Sequence, residues 1–199
     1  LAQKHWWFSG RARILSRMVA HFSPRPTAGP AAQTILDVGC GSGAHLNALQ
    51  PLGNVVGVDL SPAAVRNANA RLPGRVCAGS ILDLGFAAES FAVVTCCDVL
   101  EHVDPERKAL QELQRVTRKG GFILLTVPAF GALWSSHDHK MGHRRRYNPA
   151  ALRIVARSVG LEVVLCGYFS FAALFPAAAM ALWERLKGSA GPDRRGVPP

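Results

Sequence analysis

Three glycines at alternate positions, Gly39-Cys40-Gly41-Ser42-Gly43, follow a short apolar run holding one acid, Ile35-Leu36-Asp37-Val38, and precede a helical pattern from Ala44 to Leu52. Glycine at such positions lets the backbone approach a ligand and turn tightly into a helix. Asp37 stands two residues before the first glycine, placed to orient the loop or, through water, an ammonium group. Asp59 closes the next apolar run, Val55-Val56-Gly57-Val58, 16 residues after Gly43. A carboxylate there accepts hydrogen bonds from both hydroxyls of a ribose. The implied chemistry is nucleoside binding. The dinucleotide fingerprint G-x-G-x-x-G/A is met only in its alanine form, at Ala44. A tight G-x-G-x-G with an acid ahead of it suits a ligand without pyrophosphate, and a cationic sulfonium better than NAD.

Other reactive side chains lie further along. His102 follows the apolar run Phe91–Cys97 and is the first candidate base for taking a proton from a phenol or alcohol. A histidine hydrogen-bonded at a helix start is the structural alternative. Residues 128–148 carry Trp134, His137-Asp138-His139 and Gly142-His143-Arg144-Arg145-Arg146-Tyr147. His143 is the second candidate base. Trp134, His137, Arg145 and Tyr147 are candidate acceptor-binding residues, with one or two of the arginines clamping a carboxylate or phosphate; a solvated basic loop is the alternative. His137, His139 and His143 invite a metal reading, but no helix is predicted under them and no carboxylate is fixed beside them, so no metal is expected.

The elements that must position these residues alternate. Strands are predicted at 35–38, 55–59, 75–79, 91–97, 122–127 and 161–168, and helices at 44–52, 62–71 capped by Ser61, 106–118 stopped by Gly120-Gly121, and 149–159 capped by Asn148. Such alternation means βαβ units, hence an α/β fold with a mostly parallel sheet and helices on both faces. An amphipathic helix ending near Phe22 precedes it, and Pro24 to Pro30 break the chain after that helix. A single domain is expected over 1–187, with an N-terminal cap helix (1–23), a lid-like insertion (128–148), an apolar C-terminal helix (170–187) and a flexible tail (188–199).

With 199 residues and 18% charged side chains, the composition excludes intrinsic disorder and a coiled coil. Net charge is +10, but residues 31–100 hold three bases against five acids, so the excess lies in the N-terminal helix, the insertion and the tail. Five cysteines, an odd number without a C-x-x-C pair, favour neither a disulfide framework nor structural zinc, and suggest a reducing cytoplasm. No secretory signal pattern follows Leu1.

Four blocks together resemble the class I S-adenosylmethionine (SAM)-dependent methyltransferases: residues 35–43, Val58-Asp59-Leu60-Ser61, Asp98-Val99-Leu100-Glu101-His102-Val103, and Arg115 to Gly121. The resemblance implies a Rossmann-like seven-stranded fold and SAM as cofactor. It implies that Asp37, Gly39, Cys40, Gly41, Gly43 and Asp98 lie around the methionine part, that Asp59 binds the ribose, that Leu60 flanks the adenine, and that Ser80 and Ile81 meet its edge. Ser80 stands where an acid is frequent, and Ala92 and Lys119 stand where Asp and Pro are frequent, both read as surface changes. His5-Trp6-Trp7-Phe8 with Arg11, together with the 128–148 insertion, resembles a bacterial subgroup in which the N-terminal helix closes over the cofactor, so that Trp7 or Arg11 touches SAM.

Val163 to Trp183 carries no charge, and as a helix it would be long enough to cross a bilayer. Gly167, Pro176 and the alanines argue instead for a shorter helix, from about Phe175 to Leu186, that docks on the core or lies in a membrane interface. The seventh strand is missing or replaced by it. The resulting expectation is methyl transfer to oxygen or nitrogen of a small-molecule or lipid-linked, anionic acceptor, in the cytoplasm or at the inner membrane face. An RNA methyltransferase, or a SAM-binding module without catalysis, is the alternative.

Overall fold

A computed structural model describes residues 6–23, 33–169 and 174–187. Chain contacts separate two compact units, Leu1–Val99 with Lys108–Thr126, and Leu100–Arg107 with Val127–Pro199. The expected Pro24–Pro30 break and the 188–199 tail lie outside the described residues.

In the first unit, α1 (Trp6–Phe22) is followed by β1 (Thr34–Val38), a short α2 (Leu46–Leu49), β2 (Asn54–Asp59), α3 (Pro62–Asn69), β3 (Val76–Ala78) and β4 (Phe91–Cys97). Then come α4 (Glu106–Val116), whose first two residues belong to the other unit, and β5 (Thr117–Thr126). The described strands form one parallel sheet in the order β3-β2-β1-β4-β5. β4 is buried along its whole length, which its near-continuous apolar run requires of an inner parallel strand. The strand order reverses between β1 and β4, so the loop that leaves β1 opens at the switch point where such sheets bind ligands.

Helix faces follow spacing. Ala109, Leu110, Leu113 and Val116 of α4 are all fully buried, each leucine contributing about 1.5–3 kcal/mol. Leu15 and Val19 of α1, four apart on one face, join Ile35, Val55 and Val93 in the core. Ser61 caps α3 by accepting from Ala64 N, with Pro62 opening the helix.

Gly120-Gly121 do not stop a helix. Phe91 pairs with Thr117 and Val93 with Phe122, so residues 118–121 are an excursion within β5 that Gly120, at φ +72°, allows. Ala92 is not a surface change: it is fully buried, whereas the Lys119 side chain is exposed.

The second unit holds a 3₁₀ turn at Leu100–His102, another at Gly131–Leu133, and the helices α5 (Ser136–Met141), α6 (Pro149–Ser158) and α7 (Leu174–Leu186). α5 stands where no helix was expected. Its signal was present as Ser135-x-x-Asp138, a capping box in which Asp138 Oδ2 accepts from Ser135 N at 2.9 Å. Residues 161–168 are not a strand. Among the described residues no strand pairs with them, and Val164, Leu165 and Tyr168 are exposed, so β-forming residues alone did not make one. α7 docks through Glu184, which accepts from Ser136 N and Oγ at 2.7 and 2.6 Å. No described helix is long and apolar enough to cross a membrane.

Asn69 ties α3 to β3, donating from Nδ2 to Val76 O at 2.8 Å and accepting from Val76 N at 3.2 Å. Asn69→Ala removes both bonds and is expected to cost about 1–3 kcal/mol, read as a fall of roughly 2–12 °C in melting temperature.

Candidate functional site

The glycine loop leaves β1 with Gly39 N and Cys40 N both donating to Val58 O, at 2.7 and 3.0 Å. Gly39, Gly41 and Gly43 all have positive φ, but they are glycine for different reasons. A Cβ on Gly39 would stand 2.2 Å from Val99 Cγ2, and one on Gly43 3.2–3.4 Å from Leu46 and Ala68. A Cβ on Gly41 would meet nothing within 4 Å. Packing demands the outer two, and the middle one faces open space.

Asp59 ends β2 and holds this loop. Its Oδ2 accepts from Gly41 N and its Oδ1 from Ser61 N, each at 2.8 Å, and each oxygen keeps a second lone-pair direction. Leu60 beside it is 76% exposed. Asp37 is 1% exposed; its Oδ1 accepts from Thr95 Oγ1 at 2.7 Å, and its Oδ2 has no hydrogen-bond partner among the described residues. Burial pushes the Asp37 carboxyl above the usual range, with Asp59 adding to the rise and His45 and the Thr95 bond opposing it. Burial likewise drives the Cys40 thiol up to about 12, with the Asp37 and Asp59 charges adding to it. Cys40 packs under Gly57, where a Cβ would come within 2.9 Å of its sulfur.

Ser80 Oγ accepts from Leu82 N at 3.2 Å, and Ile81 is buried in the same turn. Asp98 sits at φ +55° after β4, its N–H donating to Thr126 O at 2.9 Å. Arg11, from α1, pairs with Asp98 and donates to Thr126 Oγ1 at 2.7 Å, so two residues expected at the cofactor meet each other. Trp7 lies in α1, with its side chain outside the described part. Sequence reading missed Thr95, the polar residue of a mostly apolar strand, and Thr126, the last residue of β5.

In the second unit the structure spends the insertion's arginines internally. Arg145 pairs with Asp104 and donates to Glu106 at 2.9 Å and to Val103 O at 3.1 Å. Arg146 forks onto Asp138 at 2.8 and 2.9 Å, and Arg144 pairs with Asp104 at 2.7 Å. Tyr147 is buried and donates to Glu106; Trp134 is buried and donates from Nε1 to His139 Nε2 at 3.0 Å. Arg145, Trp134 and Tyr147 are thus engaged in a folded polar network for which Asp104, Glu106 and Asp138 supply the counter-charges. His137 is exposed. His102 and His143 do come together, with rings 4.9 Å apart and edge to face. His143 Nδ1 lies 2.8 Å from Asp138 Oδ1, a carboxylate that sequence reading did not assign to it.

Residues 36–125 match the family described as "Methyltransferase domain". A Mycolicibacterium smegmatis protein named "Probable S-adenosylmethionine-dependent methyltransferase" is 28% identical over 167 residues, covering 82% of this chain and 62% of that protein. The chain therefore spans less than two thirds of that relative's length. The YcgJ protein of Bacillus subtilis shares the fold at TM-score 0.63 and 20% identity, over 89% of this chain and 81% of that one. A SAM-bound amino pentose methyltransferase of Micromonospora echinaspora is 30% identical at TM-score 0.51, over 62% of this chain and 52% of its own. Over residues 36–125 the chain is similar to methyltransferase domains, and SAM is the cofactor that this likeness supports. The chain has the α/β fold of the class I methyltransferases.

The differing demands on the loop glycines are measurable. Gly39→Ala meets both a left-handed backbone and Val99 and is expected to lower the melting temperature clearly further than Gly41→Ala, which meets only the backbone cost of about 1–2 kcal/mol. In alkylation with iodoacetamide at pH 8, exposed Cys77 should be modified first and Cys40 only on unfolding.

Proposed function

We propose that the chain transfers a methyl group from SAM to oxygen or nitrogen of a small-molecule acceptor. The observation that carries this reading is the Asp59 carboxylate, which joins the glycine loop to the start of α3 and keeps lone pairs for a vicinal diol. Asp59 accepts the ribose hydroxyls, and Leu60 offers its exposed side chain to the adenine face. Ser80 and Ile81 line the adenine edge. The backbone at Gly39, Gly41 and Gly43, with Cys40 packed beneath, lets the methionine part approach where a Cβ at Gly41 would meet nothing. The partnerless oxygen of buried Asp37 suits a cationic donor, reached directly or through water. Asp98 and Arg11 hold the end of β4, and Trp7 is carried on the same helix as Arg11.

When bound, SAM supplies an electrophilic methyl on a sulfonium, and the protein's work is alignment and exclusion of water. The candidate bases, His102 and His143, belong to the second unit, where Asp138 fixes the imidazole of His143. Arg144, Arg145 and Arg146 are paired with acids of their own unit, so these three give no particular support to an RNA acceptor or to an anionic small one. A lipid-linked acceptor draws support from α7, whose Phe175, Leu182, Trp183 and Leu186 are exposed.

Calorimetric titration of SAM against the wild type and Asp59→Ala tests the reading. Two hydrogen bonds to a charged group make a loss of about tenfold or more the expected result, and equal affinities would contradict it. Asp37 adds a pH signature. Its carboxyl lies above 3.8 in the fold, so folding binds a proton there, and stability from this group is lost as pH rises through the folded value. The ionised form is the one that accepts from an ammonium. SAM affinity should therefore weaken as pH falls through that raised value, and Asp37→Asn should remove this acid-side dependence.

A further inference from the structure

We propose that Glu101, His102 and His143 hold a divalent transition-metal ion in an open site of two imidazoles and one carboxylate. A Glu101 oxygen and one ring nitrogen from each histidine lie within 4.8 Å of one another. Three atoms so related all fall within about 2.8 Å of a common point, whereas zinc bonds nitrogen and carboxylate oxygen at about 2.0–2.2 Å. A shift below roughly 1 Å, within the reach of side-chain rotation, closes the set on an ion.

Hydrogen bonding behind the rings gives the histidines the right form. His143 Nδ1 faces the Asp138 carboxylate at 2.8 Å, an acceptor only, so the proton sits on Nδ1 and the lone pair on Nε2. That Nε2 is 4.0 Å from Glu101 Oε1. His102 Nδ1 lies 3.3 Å from Gly142 O, again an acceptor only, which makes Nε2 the basic nitrogen of that ring. Carboxylate and carbonyl groups behind the imidazoles are what metal-ligating histidines require, since they fix tautomer and ring orientation. Asp138 is itself fixed by Arg146 and Ser135, and it is fully buried. Glu101 is fully buried as well. A carboxylate out of water beside imidazole nitrogens favours a cation there. The nitrogen-rich set points to zinc, iron(II) or cobalt(II) rather than magnesium or calcium, which prefer oxygen alone.

Three protein ligands leave a coordination position for water or for an acceptor hydroxyl, which the ion would acidify. That catalytic use rests on the proposed methyl transfer; the binding of the ion does not. His137 and His139, the other members of the spacing seen in sequence, are outside the set.

Chelator-stripped protein, without SAM or acceptor, is titrated with Co²⁺ and followed by its visible d–d absorption. One saturable site per chain, displaced by Zn²⁺, is expected. His102→Ala, His143→Ala and Glu101→Gln should each weaken it tenfold or more, and Asp138→Asn by about 10–100-fold. His139→Ala should leave it unchanged. Far-UV circular dichroism accompanies each variant; should the buried Glu101→Gln fail to fold, the part-exposed His102→Ala decides alone. No saturable band, a thiolate charge-transfer band in its place, or unchanged affinity in His102→Ala overturns the proposal. Because Asp59→Ala should lose SAM affinity and keep Co²⁺ affinity, failure of the metal site and failure of the methyltransferase reading are separable.

Discussion

One carboxylate organises the first unit. Asp59 receives a backbone N–H from Gly41 on one side and from Ser61 on the other, so the end of β2, the loop after β1 and the start of α3 are a single hydrogen-bonded piece. Charge-assisted bonds of this kind are roughly twice as strong as neutral ones. The loop they hold is forced into left-handed backbone at three places, where a side chain would clash at one, Gly39, and crowd its neighbours at another, Gly43. The conformation of this loop thus follows from a local conflict between tight packing and a turn, resolved by glycine and locked by an acid.

The second unit obeys a different constraint, the neutralisation of buried charge. Asp138 and Glu101 are both removed from water, and each needs nearby cations or donors to remain there. Arg146 and Ser135 satisfy Asp138, which in turn orients His143. Arg145, joined to Asp104 and Glu106, brings together segments some 40 residues apart in the chain. A charge excess of +10 first suggests an anionic partner, but at the three consecutive arginines it is matched by acids of the same unit.

Local grammar was legible. The caps Ser61 and Asn148 act on neighbours within a few residues, and the glycine loop and Asp59 belong to short motifs even though Asp59 reaches Gly41 18 residues away; each stands where its sequence placed it. What depends on distant partners was not. Residues 161–168 have strand-forming side chains but no strand among the described residues pairs with them, and Arg145 gave no sign that Asp104 and Glu106 would claim it. Gly120-Gly121 signalled a break correctly, yet whether a break ends a helix or bulges a strand is decided by pairing with β4. α5 spans too few residues for a periodic pattern, and only its capping box marked it. Asp138 was visible as a residue but not as the partner of His143, because the turn at Gly142 that folds the chain back on itself sets that contact.

The central claim is that the loop held by Asp59 is the cofactor surface. Amide chemical shifts recorded by ¹H–¹⁵N NMR during titration with S-adenosylhomocysteine test it most directly. The largest changes should fall on Gly39, Gly41, Gly43, Leu60 and Ser80, with the amides of α7 unmoved. Saturable binding whose shifts leave the Gly41 and Leu60 amides in place would contradict it.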